Sequence, residues 1–114
     1  MLDKDIANLV DCIYAISHIE EYTQNIVSAD DLFADTKTYD AVLMNFVIIA
    51  EACKRISEDI QQRNSDIPWQ SIRGFRNYIA HDYFGLDIDM IWQSITIELP
   101  KLKAAFNEII KNNQ

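Results

Sequence analysis

Tyr39 to Ile60 reads YDAVLMNFVIIAEACKRISEDI, and its spacing decides the fold class. Tyr39, Val42, Phe46, Ile49, Cys53, Ile56 and Ile60 follow one another at alternating steps of three and four, the recurrence of a helix that keeps one seam toward a partner. Leu43, Val47 and Ala50 add a second apolar stripe in the first half, so that half is expected to be covered on two sides. The spacing predicts one continuous helix, followed by QQRNSD, residues 61–66, as a polar loop.

Working outward from this helix, the N-terminal side repeats the pattern. Ile6, Leu9, Val10, Ile13, Ile16, Ile19, Tyr22 and Ile26 recur at helical steps from Lys4 onward, which predicts a long amphipathic helix to about Ile26. SADDLFADTKTYD connects the two and has room for a short helix, with Thr36 or Thr38 as the cap of the next one. On the C-terminal side, Asp66, Ile67 and Pro68 open a third helix, since proline suits a first turn. That helix is expected to reach His81 or Tyr83 and stop near Gly85. Asp87 is the candidate cap of the last helix, whose stripe is Ile88, Ile91, Trp92, Ile95, Leu99, Leu102, Phe106 and Ile109. Pro100 lies inside that stripe and is expected to kink it, because it removes a backbone donor and crowds the preceding turn.

The fold class that follows is all-α: an up-and-down bundle of four main helices in a single domain, residues 1–114, with a short extra helix in the first connection. Composition agrees. Two glycines and two prolines in 114 residues leave few turn signals, too few for an all-β chain. No apolar run has the length of a membrane span, and the first ten residues lack the pattern of a signal peptide. A cytoplasmic protein is expected, with Cys12 and Cys53 as isolated, reduced, buried thiols.

The net charge of −8 argues against indiscriminate binding of nucleic acid. The charge is uneven, however: residues 1–40 carry two lysines and nine carboxylates, whereas residues 41–81 carry five basic and four acidic side chains. A polyanion is therefore expected to meet the middle third. Within it, SIRGFRNYIAHDYFGLD, Ser71–Asp87, gathers Arg73, Arg76, Asn77, His81 and Tyr83 before a glycine. On a helical projection Ile72, Phe75 and Ile79 mark the core side, Arg76 and Tyr83 its edge, and Asn77 and His81 point away as an i,i+4 pair.

Read blandly, these residues are the polar trim of an amphipathic helix. Read chemically, a histidine that titrates near neutrality beside an arginine fork suits phosphodiester cleavage by an adjacent ribose 2′-hydroxyl. No second histidine or carboxylate set accompanies them in the manner of a metal site, which favours metal-independent chemistry with no cofactor. A single histidine does not readily serve as acid and base at once, and a second copy of the chain would supply the other.

RNYIAHDY, Arg76–Tyr83, fits the R-x-x-x-x-H-x-Y signature of HEPN domains, and it resembles their HepT-like branch, found beside small nucleotidyltransferase antitoxins. The likeness continues through FRNYIAHDYFGLD, MIW and ELPKLK, and IAEACKRIS is similar to the second-helix segment, with Ala50 where glycine is expected. The resemblance implies an α-helical homodimer that brings two motifs to one cleft, and a metal-independent endoribonuclease acting as the toxin of a type VII-like toxin–antitoxin pair, with RNA, tRNA included, as substrate. It implies that His81 is the general acid/base, Arg76 the phosphate holder and Asn77 an orienting group. It further implies that Tyr83 lines the cleft and is the residue to which a partner nucleotidyltransferase attaches AMP. Arg73 is added from spacing alone, as an extension of the basic edge.

Other candidates have simpler readings. His18 lies among Glu20 and Glu21 and reads as surface or interface, while Trp69 and Trp92 occupy core positions. Glu51 reads either as an exposed charge or as a buried partner of an arginine such as Arg76. Lys101, Lys103 and Lys111 read as a solvated face. Two alternatives to the ribonuclease stay open: a non-catalytic nucleotide-binding or substrate-binding module that serves a nucleotidyltransferase, and a purely structural helical dimer.

Overall fold

The seam that reads as one helix is cut in two. In the computed structural model, which describes residues 1–113, α1 spans Asp3–Tyr22, α2 Ala29–Ala34, α3 Thr36–Lys54 and α4 Glu58–Arg63. The break between α3 and α4 is made by a residue half the chain away. Asp5, 1% exposed, accepts hydrogen bonds from the Ser57 backbone N–H at 2.7 Å and from its hydroxyl at 2.8 Å. In a continuous helix that N–H would bond the carbonyl of Cys53; here Ser57 is extended, at φ −60° and ψ 150°. Ile56 and Ile60 remain buried on either side, so the apolar seam survives although the helix does not. The polar loop is correspondingly shorter than QQRNSD, because residues 61–63 close α4 and the turn begins at Asn64.

Asp5→Ala is expected to lower stability by about 2 kcal/mol, since a charge-assisted pair of bonds is lost and the Ser57 N–H is left without a partner. A urea melt of the variant beside the parent measures it. A loss below about 0.5 kcal/mol would show that the break is not held by Asp5.

The first helix ends at Tyr22 rather than near Ile26, with the Thr23 hydroxyl turned back onto the Ile19 carbonyl at 2.8 Å. The cap of α3 is Asp35, not Thr36 or Thr38. Its carboxylate accepts from the Thr38 hydroxyl at 2.8 Å and from the Thr38 N–H at 3.2 Å, and these bonds hold it below the ordinary carboxylate range. A residue outside the helix with a short acceptor side chain is what the first turn's free N–H groups require.

The motif stretch folds as α5, Trp69–Asp82, followed by a 3-10 turn over Tyr83–Gly85. The last helix comes in three parts: α6, Ile88–Gln93, a π turn at Ser94–Glu98, and α7, Leu99–Asn112. Asp87 caps α6 through the Met90 N–H at 3.1 Å, as its position suggested. Pro100, which cannot donate to a carbonyl four residues back, falls in the first turn of α7 immediately after the wide turn. The i→i+5 register of that turn makes room for the ring, so the expected kink takes the form of a π turn.

The bundle is all-helical among the described residues. Helix α3 packs between α1 and α5, and α7 closes against α1. Leu9, Ile16, Ile19, Val42, Ile49, Ile91 and Phe106 are fully buried in one continuous cluster, with Trp69 stacked on Phe106 at 5.7 Å between ring centroids and Phe46 on Phe75 at 4.9 Å. Trp92 is half-buried against the same core. Cys12 and Cys53 are free and buried, as expected, but not isolated: α1 and α3 bring their Sγ atoms to 3.7 Å. That contact and burial push the Cys12 thiol far above its ordinary value. Among the described residues no helix is long and apolar enough to cross a membrane.

Candidate active site

Helix α5 owes its orientation to its apolar side. Trp69 and Ile79 are buried and Ile72, Phe75 and Tyr78 pack against the core, and the Trp69 indole N–H bonds the Asn64 carbonyl at 3.0 Å. The opposite side is thereby committed to solvent, and Arg76, Asn77 and His81 are all exposed. Arg76 faces α3. Its Nε lies 3.6 Å from Glu51 Oε1, and its Nη1 donates to Asn77 Oδ1 at 3.2 Å. One side of the guanidinium is thus pinned, and Nη2 keeps both of its hydrogens for an incoming anion. Glu51 is paired, as one of its two readings held, but not buried: the two side chains are 50% and 38% exposed. A pair this exposed adds little stability; what it fixes is the direction of the arginine.

Within one regular helix, residues five apart diverge by about 140° and rise by about 7.5 Å. Arg76 therefore leans toward α3 while His81 stacks above Asn77 on the outer face. The two side chains belong to one surface strip without converging on one point.

Tyr83, in the 3-10 turn, donates its hydroxyl to Asp40 Oδ1 on α3 at 2.5 Å. That bond holds the phenol above its ordinary value. The motif is consequently tied to α3 at both ends, at Glu51 through Arg76 and at Asp40 through Tyr83. Arg73 is placed differently from its neighbours. Its Nη1 donates to Gln61 Oε1 of α4 at 2.6 Å, half-buried, so its guanidinium faces α4. Asp40 was not anticipated, and nothing in a sequence separation of 43 residues signals it. Lys103 is an ion-pair partner of Glu20 at 2.7 Å rather than a free solvated cation. His18 is exposed, with Nδ1 3.4 Å from Asn45 Oδ1. No group of three or more His, Cys, Asp or Glu side chains among the described residues is arranged to hold a metal ion.

Comparison with known proteins places this geometry in context. A family model described as ribonuclease HepT-like matches residues 13–109. A relative in Thermococcus cleftensis, named "Probable ribonuclease HepT", is 36% identical over 90% of this chain and 93% of its own. One in Methanocaldococcus jannaschii, named "Putative RNase MJ1216", is 32% identical over 98% of this chain and 93% of its own. Another in Caldanaerobacter subterraneus, named "Putative RNase TTE0752", is 28% identical over 93% and 90%. No solved structure gives a significant match.

Proposed function

The chain belongs to the ribonuclease HepT-like family, and on that premise we propose that it is a metal-independent endoribonuclease in which His81 moves the proton and Arg76 holds the phosphate. The observation that carries this reading is the Arg76 guanidinium, anchored by Glu51 and Asn77 on the exposed face of α5 with one nitrogen left open. An arginine held in this way is set for a phosphate oxygen and for the charge that grows on it in the transition state.

The reaction that suits the set is transesterification. The ribose 2′-oxygen attacks the adjacent phosphorus, its proton passes to an imidazole, and the bond to the 5′-oxygen breaks as that oxygen takes a proton from an acid. The products are a 2′,3′-cyclic phosphate and a 5′-hydroxyl. Two histidines divide the acid and base roles if two protomers face each other, and the divergence of Arg76 from His81 along α5 is then no obstacle, since each can serve a phosphate in the shared cleft.

Tyr83 and Asn77 line this cleft, and Arg73 adds positive potential behind it. The chain acts in the cytoplasm as the toxin of a toxin–antitoxin pair, and a partner nucleotidyltransferase restrains it by transferring AMP to the Tyr83 hydroxyl. The ester oxygen has no proton to give Asp40, so the tie to α3 is lost, and the added phosphate repels RNA. The net charge of −8 opposes indiscriminate binding of nucleic acid, and the substrate proposed is RNA, tRNA included, met through the locally basic middle third.

The test is incubation of end-labelled cellular RNA with the purified protein in excess EDTA, followed by analysis of the ends. Cyclic phosphate ends support the proposal, and an inert, dimeric, unmodified protein removes it in favour of a binding module. Glu51→Gln is expected to lower kcat/KM about tenfold through a looser Arg76, with stability changed by less than about 1 kcal/mol. Single-turnover cleavage beside a thermal melt separates the two effects.

A further inference from the structure

Phe84 contributes nothing to the core that the other aromatic side chains build. It is 100% exposed, more than any other large apolar side chain among the described residues, and it packs neither in the core nor against it. It sits in the 3-10 turn over Tyr83–Gly85 that carries on from the motif helix, three residues after His81. Scattered apolar exposure is ordinary on a protein surface; a whole phenyl ring held out at the end of the motif is in a position to be used.

The ring is mounted on a fixed turn. Before it, the Tyr83 hydroxyl is tied to Asp40 of α3. After it, Leu86 is buried and the Asp87 N–H donates to the Tyr78 hydroxyl at 2.8 Å. The Tyr83 ring meets Phe84 edge to face, with centroids 5.0 Å apart and planes at 87°, an arrangement that aromatic rings favour. The flanking bonds hold the turn, the neighbouring ring steadies the phenyl, and full exposure leaves its π-surface free.

A flat hydrocarbon surface beside an arginine and a histidine suits the flat face of a nucleobase. Every base has a π-face, and unpaired nucleotides are commonly held by stacking on aromatic side chains. Three residues of backbone span at most about 10 Å, so a strand whose phosphate lies at His81 brings a neighbouring base within reach of Phe84. A base inside a duplex has both faces covered, so the one taken here is unpaired. A docking surface for another protein gathers several large apolar side chains about a centre. Among the described residues, Phe84 has only Tyr83 in ring contact, and Asp82, Gly85 and Asp87 flank it in the chain.

We propose that Phe84 is a stacking platform for an unpaired base of the RNA, next to the phosphate that is cut. The inference rests on the ribonuclease reading and deepens it with a binding residue beyond Arg76–Tyr83. Phe84 gives the strand affinity and gives the reaction no proton and no charge. Its loss is therefore felt in KM and not in kcat, with little preference among the bases.

The test pairs the ring with the base. Anisotropy measures binding of the full chain to a labelled RNA dodecamer made uncleavable by 2′-O-methyl groups, and to a strand of the same backbone without bases. Phe84→Ala is expected to weaken binding of the base-bearing strand about tenfold and to leave the abasic strand unaffected. The factor should be the same at low and high salt, because no phosphate contact is lost. Phe84→Trp should bind within about threefold of the parent, whereas Phe84→Leu, apolar but not flat, should behave as alanine does. In cleavage, Phe84→Ala should raise KM about tenfold with kcat little changed. All variants should melt with the parent, since the side chain buries nothing.

A Phe84→Ala chain that binds and cuts RNA as the parent does overturns the inference, leaves the ribonuclease standing and makes the ring a contact for another protein. A loss equal on both strands, or one that changes with salt, overturns the stacking as well. A parent whose binding depends on both ring and bases but leaves RNA intact ends the ribonuclease and keeps the platform. A parent that binds no RNA ends both.

Discussion

His81→Ala is expected to lower the rate of RNA cleavage by about two to four orders of magnitude, the range supplied by a positioned general acid or base. Its effect on stability is expected to be close to nothing, because the side chain is exposed on the outer face of α5. Arg76→Ala is expected to cost about a hundredfold to a thousandfold, as removal of a transition-state donor does elsewhere. Arg76→Lys should fall between parent and alanine: it keeps the charge, but an ammonium cannot hold Glu51 and Asn77 on one side while offering a second nitrogen to the phosphate. On the proposed mechanism the two residues act on one transition state, so the double variant should lose little more than the worse single one. Single-turnover rates on one end-labelled RNA, with thermal melts of every variant, measure all of this. Variants that melt with the parent and cut as fast as the parent would remove both residues from the mechanism.

The largest effect on stability is expected in the core beneath the motif helix. Phe106 of α7 is fully buried and stacks on Trp69, which sits at the start of the motif helix. Phe106→Ala removes that ring and leaves a cavity that the surrounding helices close only in part, at a cost of about 3–5 kcal/mol. Against the roughly 5–15 kcal/mol that holds a domain of this size together, this is a large fraction, and the melting temperature should fall by about 10–20 °C. Urea titration followed by tryptophan fluorescence measures it. Phe106→Leu, which keeps most of the apolar surface, should recover more than half of the loss. If alanine costs less than about 1 kcal/mol, the Trp69–Phe106 stack is not what seats α5. The contrast with His81→Ala separates the residues that hold the motif helix in place from those that use it.

Much of this was legible in the chain itself. The three-and-four spacing from Tyr39 to Ile60 identifies the buried seam whether or not the helix is continuous, because side-chain burial depends on the repeat and not on an unbroken ladder of hydrogen bonds. Asp87 announces its cap, and Pro100 announces a disturbance of the last helix, since both act on their immediate neighbours. Ile72, Phe75 and Ile79 fix the core side of α5, which puts Arg76 at its edge and Asn77 and His81 on the outer face. Local chemistry of this kind needs no knowledge of what lies across the core.

What only the tertiary structure decided involves partners far apart in the chain. Asp5 breaks the long helix at Ser57 because a buried carboxylate must find donors, and the nearest in space are 52 residues away in sequence. Cys12 and Cys53 come into contact for the same reason that α1 and α3 pack at all. Glu51 had been one of two readings, and the fold makes it the anchor of Arg76; Asp40 had none, and the fold gives it Tyr83. Hydrophobic periodicity says which side of a helix is buried but not which neighbour will cover it. For that reason the two stripes of α3 announced burial on two sides, which Leu43 and Ala50 have, but only the fold showed that α1 and α5 are the helices packed against it.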